Sequence, residues 1–197
     1  FNFQCIINKK TIGIFMKTIK HFKTITKHRH TVIRHCKKAG ILWQGLRHDL
    51  SKYSPAEFII GAKYYQGDRS PNEIERRKIG YSTAWMHHKG RNKHHYEYWN
   101  DFIITEGKIM PVKMPMKYLK EMFCDRVAAS KIYQGENYTD SHPYEYFING
   151  HDKPYMHPET ADMLEFLLKM LAEKGEDETF KYAKKLVKES KYKNSLM

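Results

Sequence analysis

The sequence predicts an all-α fold, a bundle of about six to eight helices. Three observations predict it. Paired Ser-Pro signals open helices, glycines close periodic segments, and no stretch alternates polar and apolar residues long enough to make a strand. Hydrophobic residues make up 41% of the 197 and aromatics 14%, enough for one domain with a real core. Residues 1–15 lack a helical stripe and read as an extension apart from the domain at 16–197, with Met16-Lys17 a natural start.

The elements follow in order. Residues 17–38 read as a first helix, ended near Gly40. Ser54-Pro55-Ala56-Glu57 and Ser70-Pro71-Asn72-Glu73 each place Ser at the N-cap, Pro at N1 and Glu at N3. Gly67, Gly90 and Gly135 are further stops, and Pro111 and Pro115 break the chain before a helix from Met116. Pro158 opens a segment with an apolar stripe of Leu164, Leu167, Leu168 and Leu171, and a last helix carries Phe180, Ala183 and Val187. The stretch from Asp140 to Asp152 reads as a lid or a connecting loop.

The net charge is +13, and residues 1–52 supply +11 of it, with Asp49 their only acid. Such a field attracts nucleotides, phosphorylated metabolites or nucleic acid. Cys5, Cys36 and Cys124 stand far apart without CxxC spacing, which suggests neither a disulfide framework nor a thiolate zinc site and fits a cytoplasmic protein. No apolar run approaches the roughly 18 residues that span a bilayer, so no membrane partner is expected.

His48-Asp49 is the pair that proposes chemistry. A neutral imidazole and a carboxylate side by side in an apolar helix are costly to bury unless a cation lies between them. On the first helix, Ile19, Phe22, Thr26 and Ile33 define an inward face with His30 in its middle, leaving His21, His28 and His35 to solvent. Ile41, Leu42, Gly45 and Leu46 define the next buried stripe, with Asp49 near its centre. Tyr118, Met122, Ala129 and Ile132 carry Asp125 inward. Four histidines fall in the nine positions from His87 to His95, spread over a helix end and the helix after it. His88 shares a phase with Ile74, Tyr81 and Trp85, and His95 lies on the side of Tyr98, Trp99 and Phe102. Phase leaves open whether His87 and His94 replace them. Lys89, Arg91 and Asn92 supply donors suited to phosphate oxygens.

The order His30, His48-Asp49, Asp125 in a helical chain resembles the HD-domain superfamily of metal-dependent phosphohydrolases, whose motif is a His, an adjacent His-Asp and a distant Asp. His48-Asp49-Leu50-Ser51-Lys52 is similar to the HDxxK form of that motif. Cys124-Asp125-Arg126 resembles the Asp-Arg that often carries the last ligand, and His87-His88 stands where two-metal members have extra histidines. Longer strings, among them Phe123-Cys124-Asp125-Arg126-Val127, look like an uncharacterised bacterial and phage family.

That resemblance implies a divalent ion held by His30, His48, Asp49 and Asp125, with water and a phosphoryl oxygen in its open positions. Phosphoester hydrolysis of a nucleotide or other small phosphorylated compound would follow. With His88 and His95 converging, a second ion would sit about 3.5–4 Å away. Asp49 and Lys52 are the catalytic residues implied, and Arg126 joins Lys89, Arg91 and Asn92 in binding the anion. Nitrogen and carboxylate ligands leave Mn, Fe, Co, Ni, Zn and Mg all open. The alternative is a non-catalytic basic helical module that binds nucleic acid, its metal structural or absent. An oxygen-using di-iron enzyme is a third chemistry these ligands allow.

Overall fold

Proline at the first helical position and a glycine past the last turn bound several of the helices, as the sequence leads one to expect. A computed structural model of the chain describes residues 9–193, with side chains from 11 to 186. Among the described residues there are eight α-helices: α1 (Lys9–Lys38), α2 (Leu42–Arg47), α3 (Pro55–Tyr64), α4 (Pro71–Ile79), α5 (Thr83–Lys89), α6 (Met116–Gln134), α7 (His142–Ile148) and α8 (Pro158–Lys193). Helices α3 and α4 start at their Ser-Pro signals, although neither Ser54 nor Ser70 makes a side-chain capping bond. Helix α8 is interrupted at Gly175, whose φ of 76° and ψ of 177° are non-helical. None of the described helices is long and apolar enough to cross a membrane.

Several expectations change. The extension expected at residues 1–15 lies partly outside the described residues, and from Lys9 onward the chain is already helix α1. Residues 92–99 are not a second α-helix but a turn and a short 3-10 segment, Tyr96–Tyr98. Strands β1 (Asn100–Ile103) and β2 (Lys108–Pro111) form an antiparallel hairpin, with Asn100 opposite Pro111 and Ile103 opposite Lys108. Four mostly exposed residues a side are too few to leave a period-two signal. The stretch from Asp140 to Asp152 carries α7.

The core lies where α1, α6 and α8 pack. Val32 and Cys36 of α1, with Ala39 just past its end, meet Leu119, Phe123 and Val127 of α6 and Leu164, Leu167, Leu168 and Leu171 of α8. Phe180 and Ala183 are buried as expected, while Val187 lies outside the described side chains. Helix α2 folds back tightly on α1, because Gly45 presses on Cys36: a Cβ there would come within 2.5 Å of the Cys36 Cβ. This approach is what delivers residues 48 and 49 to the interior.

One core residue breaks the apolar rule. Lys120 is fully buried and its Nζ has no hydrogen-bond partner. Burial pushes its ammonium from 10.5 down to about 8, with the sulfurs of Cys124 and Cys36 opposing the shift. Between those two values the unfolded chain holds more protons than the folded one, so stability rises with pH across that window. Lys120→Met should raise the urea midpoint at neutral pH and abolish this alkaline rise, as followed by circular dichroism.

Candidate metal centre

Helix α1 turns a different face inward from the one the sequence suggested. Its buried residues are His21, Ile25, His28, Thr31, Val32, His35 and Cys36, while Phe22 is 48% exposed. His21, His28 and His35 recur every seven residues, so they share the buried side of the helix. His30, two positions from His28, is exposed and lines a groove on the outer surface. The expectation of an inward His30 and solvent-facing His21, His28 and His35 is therefore reversed. Ile19, Phe22, Thr26 and Ile33 suggest the wrong phase, because the stripe that packs is Ile25, Val32, Cys36 and, just past the helix, Ala39.

His48 and Asp49 follow the end of α2. Arg29 holds that end by donating to the carbonyls of Leu46 and His48. Asp49 then adopts φ 53° and ψ 26°, the only positive φ at a non-glycine among the described residues, and a 3-10 turn begins at Leu50. On a continuous helix neighbours point about 100° apart. The left-handed break lets both His48 and Asp49 face one cavity, each 1% exposed. The strain of such a residue, of order 1 kcal/mol, persists only where surrounding structure holds it.

Helix α5 supplies His88, the segment after it His94 and His95, and α6 supplies Asp125. Two overlapping groups result, one of His28, His48, Asp49 and Asp125 and one of Asp49, His88, His94 and His95. Within each, the ligand atoms lie within 4.8 Å of one another. Asp49 belongs to both. Its Oδ2 is 3.1 Å from His48 Nε2 and 3.8 Å from His28 Nε2, and its Oδ1 is 3.2 Å from His88 Nε2 and 3.4 Å from His94 Nε2. Asp125 Oδ1 lies 2.9 Å from His28 Nε2 and 3.4 Å from His48 Nε2.

Two outer carboxylates orient the imidazoles. Glu121 accepts from Nδ1 of His48 at 2.9 Å and of His94 at 3.1 Å, and is itself bonded by Gln44. Glu57 accepts from Nδ1 of His87 and of His88, both at 2.7 Å. A donated Nδ1–H leaves the Nε2 lone pair free to bind a metal. The Nε2 atoms of His28, His48, His88, His94 and His95 and Oδ1 of Asp49 are buried without hydrogen-bond partners, and Oδ2 of Asp49 has only its ion pair with Lys52. Buried polar atoms are rarely left so. The residues present fit a metal ion.

Charge supports the fit. Burial, and then Lys52, lower His28, and burial with His94 and His88 holds His95 well below the usual range, so both are neutral imidazoles. Burial would raise Asp49 and Asp125, but their histidine neighbours hold both carboxyls well down. For His48 and His88 burial is outweighed by Asp49 and the other carboxylates, which raise them. The same carboxylates would welcome a metal in place of those protons.

A cavity of about 640 Å³ opens onto this cluster, lined by His28, His95 and Asp125 and by Lys52, Arg69, Arg76 and Arg126. Lys52 Nζ is 2.6 Å from Asp49 Oδ2 with its side chain 28% exposed, and Asp49 keeps it charged against the effect of burial. Arg126 also pairs with Asp152 at 2.8 Å. The other expected anion-binding residues stand elsewhere. Asn92 bonds Ser51 and the His88 carbonyl, Arg91 is exposed and bonds the His87 carbonyl, and neither they nor Lys89 line the cavity. The loop after α5 turns them away, and Arg69 and Arg76 take the cavity wall instead.

Sequence reasoning thus assigns His28 to solvent, leaves His94 open, reads Glu57 only as a helix start and has no role for Glu121. The available signals were the seven-residue recurrence of histidines on α1 and the one-turn spacing of Glu121 and Asp125 on α6.

These features define an all-α protein with a buried histidine and carboxylate cluster able to hold metal. The chain belongs to a family of unknown function (DUF5662), whose match covers residues 17–170 and so every residue of the cluster. No curated protein and no solved structure matches the chain.

Calorimetric titration of chelator-treated protein with Mn²⁺ or Zn²⁺ should give two ions per chain. His28→Ala should lose one, Asp49→Ala should compromise both, and His30→Ala should titrate as the wild type does. Glu121→Gln, which leaves every ligand in place, should weaken metal binding about 10- to 100-fold.

Proposed function

We propose that the protein is a two-metal phosphohydrolase acting on a nucleotide or another small phosphorylated compound. The observation that carries this reading is the placement of Asp49, one oxygen towards His28 and His48 and the other towards His88 and His94. A carboxylate so shared is how paired metal sites are bridged. The likeness to the HD-domain motif supports it, with His28 rather than His30 as the first ligand.

Bound divalent ions would supply Lewis acidity towards a phosphoryl oxygen and a more acidic water. The chain's own residues do the rest. Lys52, beside Asp49 at the cavity floor, donates to a phosphate oxygen and offsets its charge. Arg126, Arg69 and Arg76 hold further anionic groups along the wall, where guanidinium geometry matches phosphate. Asp125 is 16% exposed in its side chain, so its carboxylate faces both the cluster and the cavity and orients the attacking water. Glu121 and Glu57 keep the imidazoles in register while charge shifts. The cavity admits a small molecule and encloses its reacting end.

Metal-loaded protein assayed for phosphate release against nucleoside mono-, di- and triphosphates and sugar phosphates should hydrolyse at least one class. His48→Ala and Asp125→Ala should abolish turnover, and Lys52→Ala should chiefly raise KM. A fully loaded protein inert towards the whole panel with Mn²⁺, Fe²⁺, Co²⁺, Ni²⁺, Zn²⁺ and Mg²⁺ would sink the proposal.

A further inference from the structure

Between Lys9 and Lys38, helix α1 holds ten Lys or Arg and no Asp or Glu. One side of it is committed to the core and the metal centre. At about 100° per residue, Lys23, Lys27, His30, Arg34 and Lys37 fall within a sector about 80° wide on the other side. All five are exposed. The α1 lysine that does pair with acids is Lys38, which reaches Glu176 at 3.2 Å and Asp177 at 3.5 Å at the end of the stripe. A helical rise of about 1.5 Å per residue spaces these five side chains roughly 5 Å apart over about 21 Å. Like charges one turn apart repel by a few tenths of a kcal/mol per pair, and a ligand with regularly repeated negative charge relieves this along the whole row.

A groove of about 410 Å³ runs along the stripe, lined by Phe22, Lys23, Thr26, Lys27, His30 and Arg34. Phe22 is 48% exposed, and its ring is braced edge-on by Tyr53 and Phe58 at centroid distances of 6.0 and 6.4 Å. A fixed aromatic ring beside a row of cations is the arrangement that binds single strands, bases stacking while phosphates track the charges. A bilayer would require large apolar residues projecting beside the cations. Exposed apolar side chains on the helix, Ile12, Ile14, Phe15, Met16 and Phe22, all precede the stripe, whereas from Lys23 to Lys37 the exposed side chains are the five basic ones and Ile25, Val32 and Cys36 face the core.

We propose that the outward face of α1 docks single-stranded nucleic acid, with Lys23, Lys27, Arg34 and Lys37 on successive phosphates and Phe22 against a base. This surface lies across the helix from His28, so it is independent of the metal centre and of any turnover there.

Fluorescence anisotropy with a labelled mixed-sequence DNA strand of about 20 nucleotides tests it, and binding should weaken with salt at a log–log slope of about −3 for four phosphate contacts. The triple variant Lys23→Glu, Lys27→Glu, Arg34→Glu should bind at least about tenfold more weakly, whereas Lys174→Glu, Lys181→Glu, Lys185→Glu on α8, the same change in net charge, should stay within about threefold. Phe22→Ala should cost about tenfold, and His48→Ala nothing. Should the α1 triple variant not fold, Lys23→Gln and Lys27→Gln singly should each reduce the slope by about 0.7. The proposal is overturned if the strand does not bind at low salt, if the folded α1 variants bind as the wild type does, or if the α8 triple loses as much as the α1 triple. Binding to phosphatidylglycerol vesicles without binding to the strand would also overturn it and reassign the face to a membrane.

Discussion

Burying the Asp49 carboxylate is the constraint around which this molecule is arranged. At 1% exposure an ionised carboxylate costs several kcal/mol unless positive charge lies against it. Lys52 supplies one charge from the cavity side. The surrounding imidazoles cannot all supply more, since His28 and His95 are held neutral by burial. Asp49, Asp125, Glu57 and Glu121 together bring four negative charges to a cluster whose histidines bind metal only when neutral. With Lys52 offsetting one of them, three negative charges remain, and protonating His48 and His88 balances only part of these while blocking the nitrogens that converge, whereas metal binding supplies positive charge and leaves those nitrogens as ligands.

The fold answers this constraint by bringing separate elements against one helix. Helix α1 presents His28 from a face otherwise packed on α6 and α8. Helices α2 and α3 each approach α1 through a glycine. A Cβ at Gly45 would strike Cys36, and one at Gly61 would come within 2.3 Å of His21 Nε2. These close contacts bring the end of α2, with its left-handed Asp49, and Glu57 of α3 to the same cavity. The β-hairpin stands outside the core, and none of its residues belongs to the cluster.

What the sequence made legible follows from how local each signal is. The Ser-Pro starts of α3 and α4 and the leucine stripe of α8 are short-range patterns, and the structure has them where they were expected. His48, Asp49, His88, His95 and Asp125 were legible because burying such groups is expensive wherever they occur. His30 was misplaced because α1 carries histidine or cation on nearly every face, so no apolar stripe dominates its phase. Assigning the face depended on which side meets α6, which is a tertiary fact. Glu57 read as a helix-start residue, yet its carboxylate is spent on His87 and His88. Glu121 sat unremarked in an apolar run. Partners of partners leave no trace in spacing, because their role is defined by residues 31 and 73 positions away.

The uneven charge of the chain also bears on the metal centre. Cations along and beside α1 add to burial in keeping imidazoles unprotonated: Lys52 lowers His28, and burial followed by Lys131, Lys38 and Arg34 takes His35 to about 4. A histidine held neutral keeps its lone pair, so the basic field favours the form of the residue that binds metal. The same field concentrates anions near the cavity. A positive surface and a cationic site would normally oppose one another. Here the carboxylates are confined inside, within contact distance of the nitrogens, where low dielectric makes them strongest. The lysines of α1 from Lys17 on stay outside, where solvent weakens their repulsion of a bound ion. That separation lets one acid-free helix attract anions on its surface while it lines a site for cations beneath.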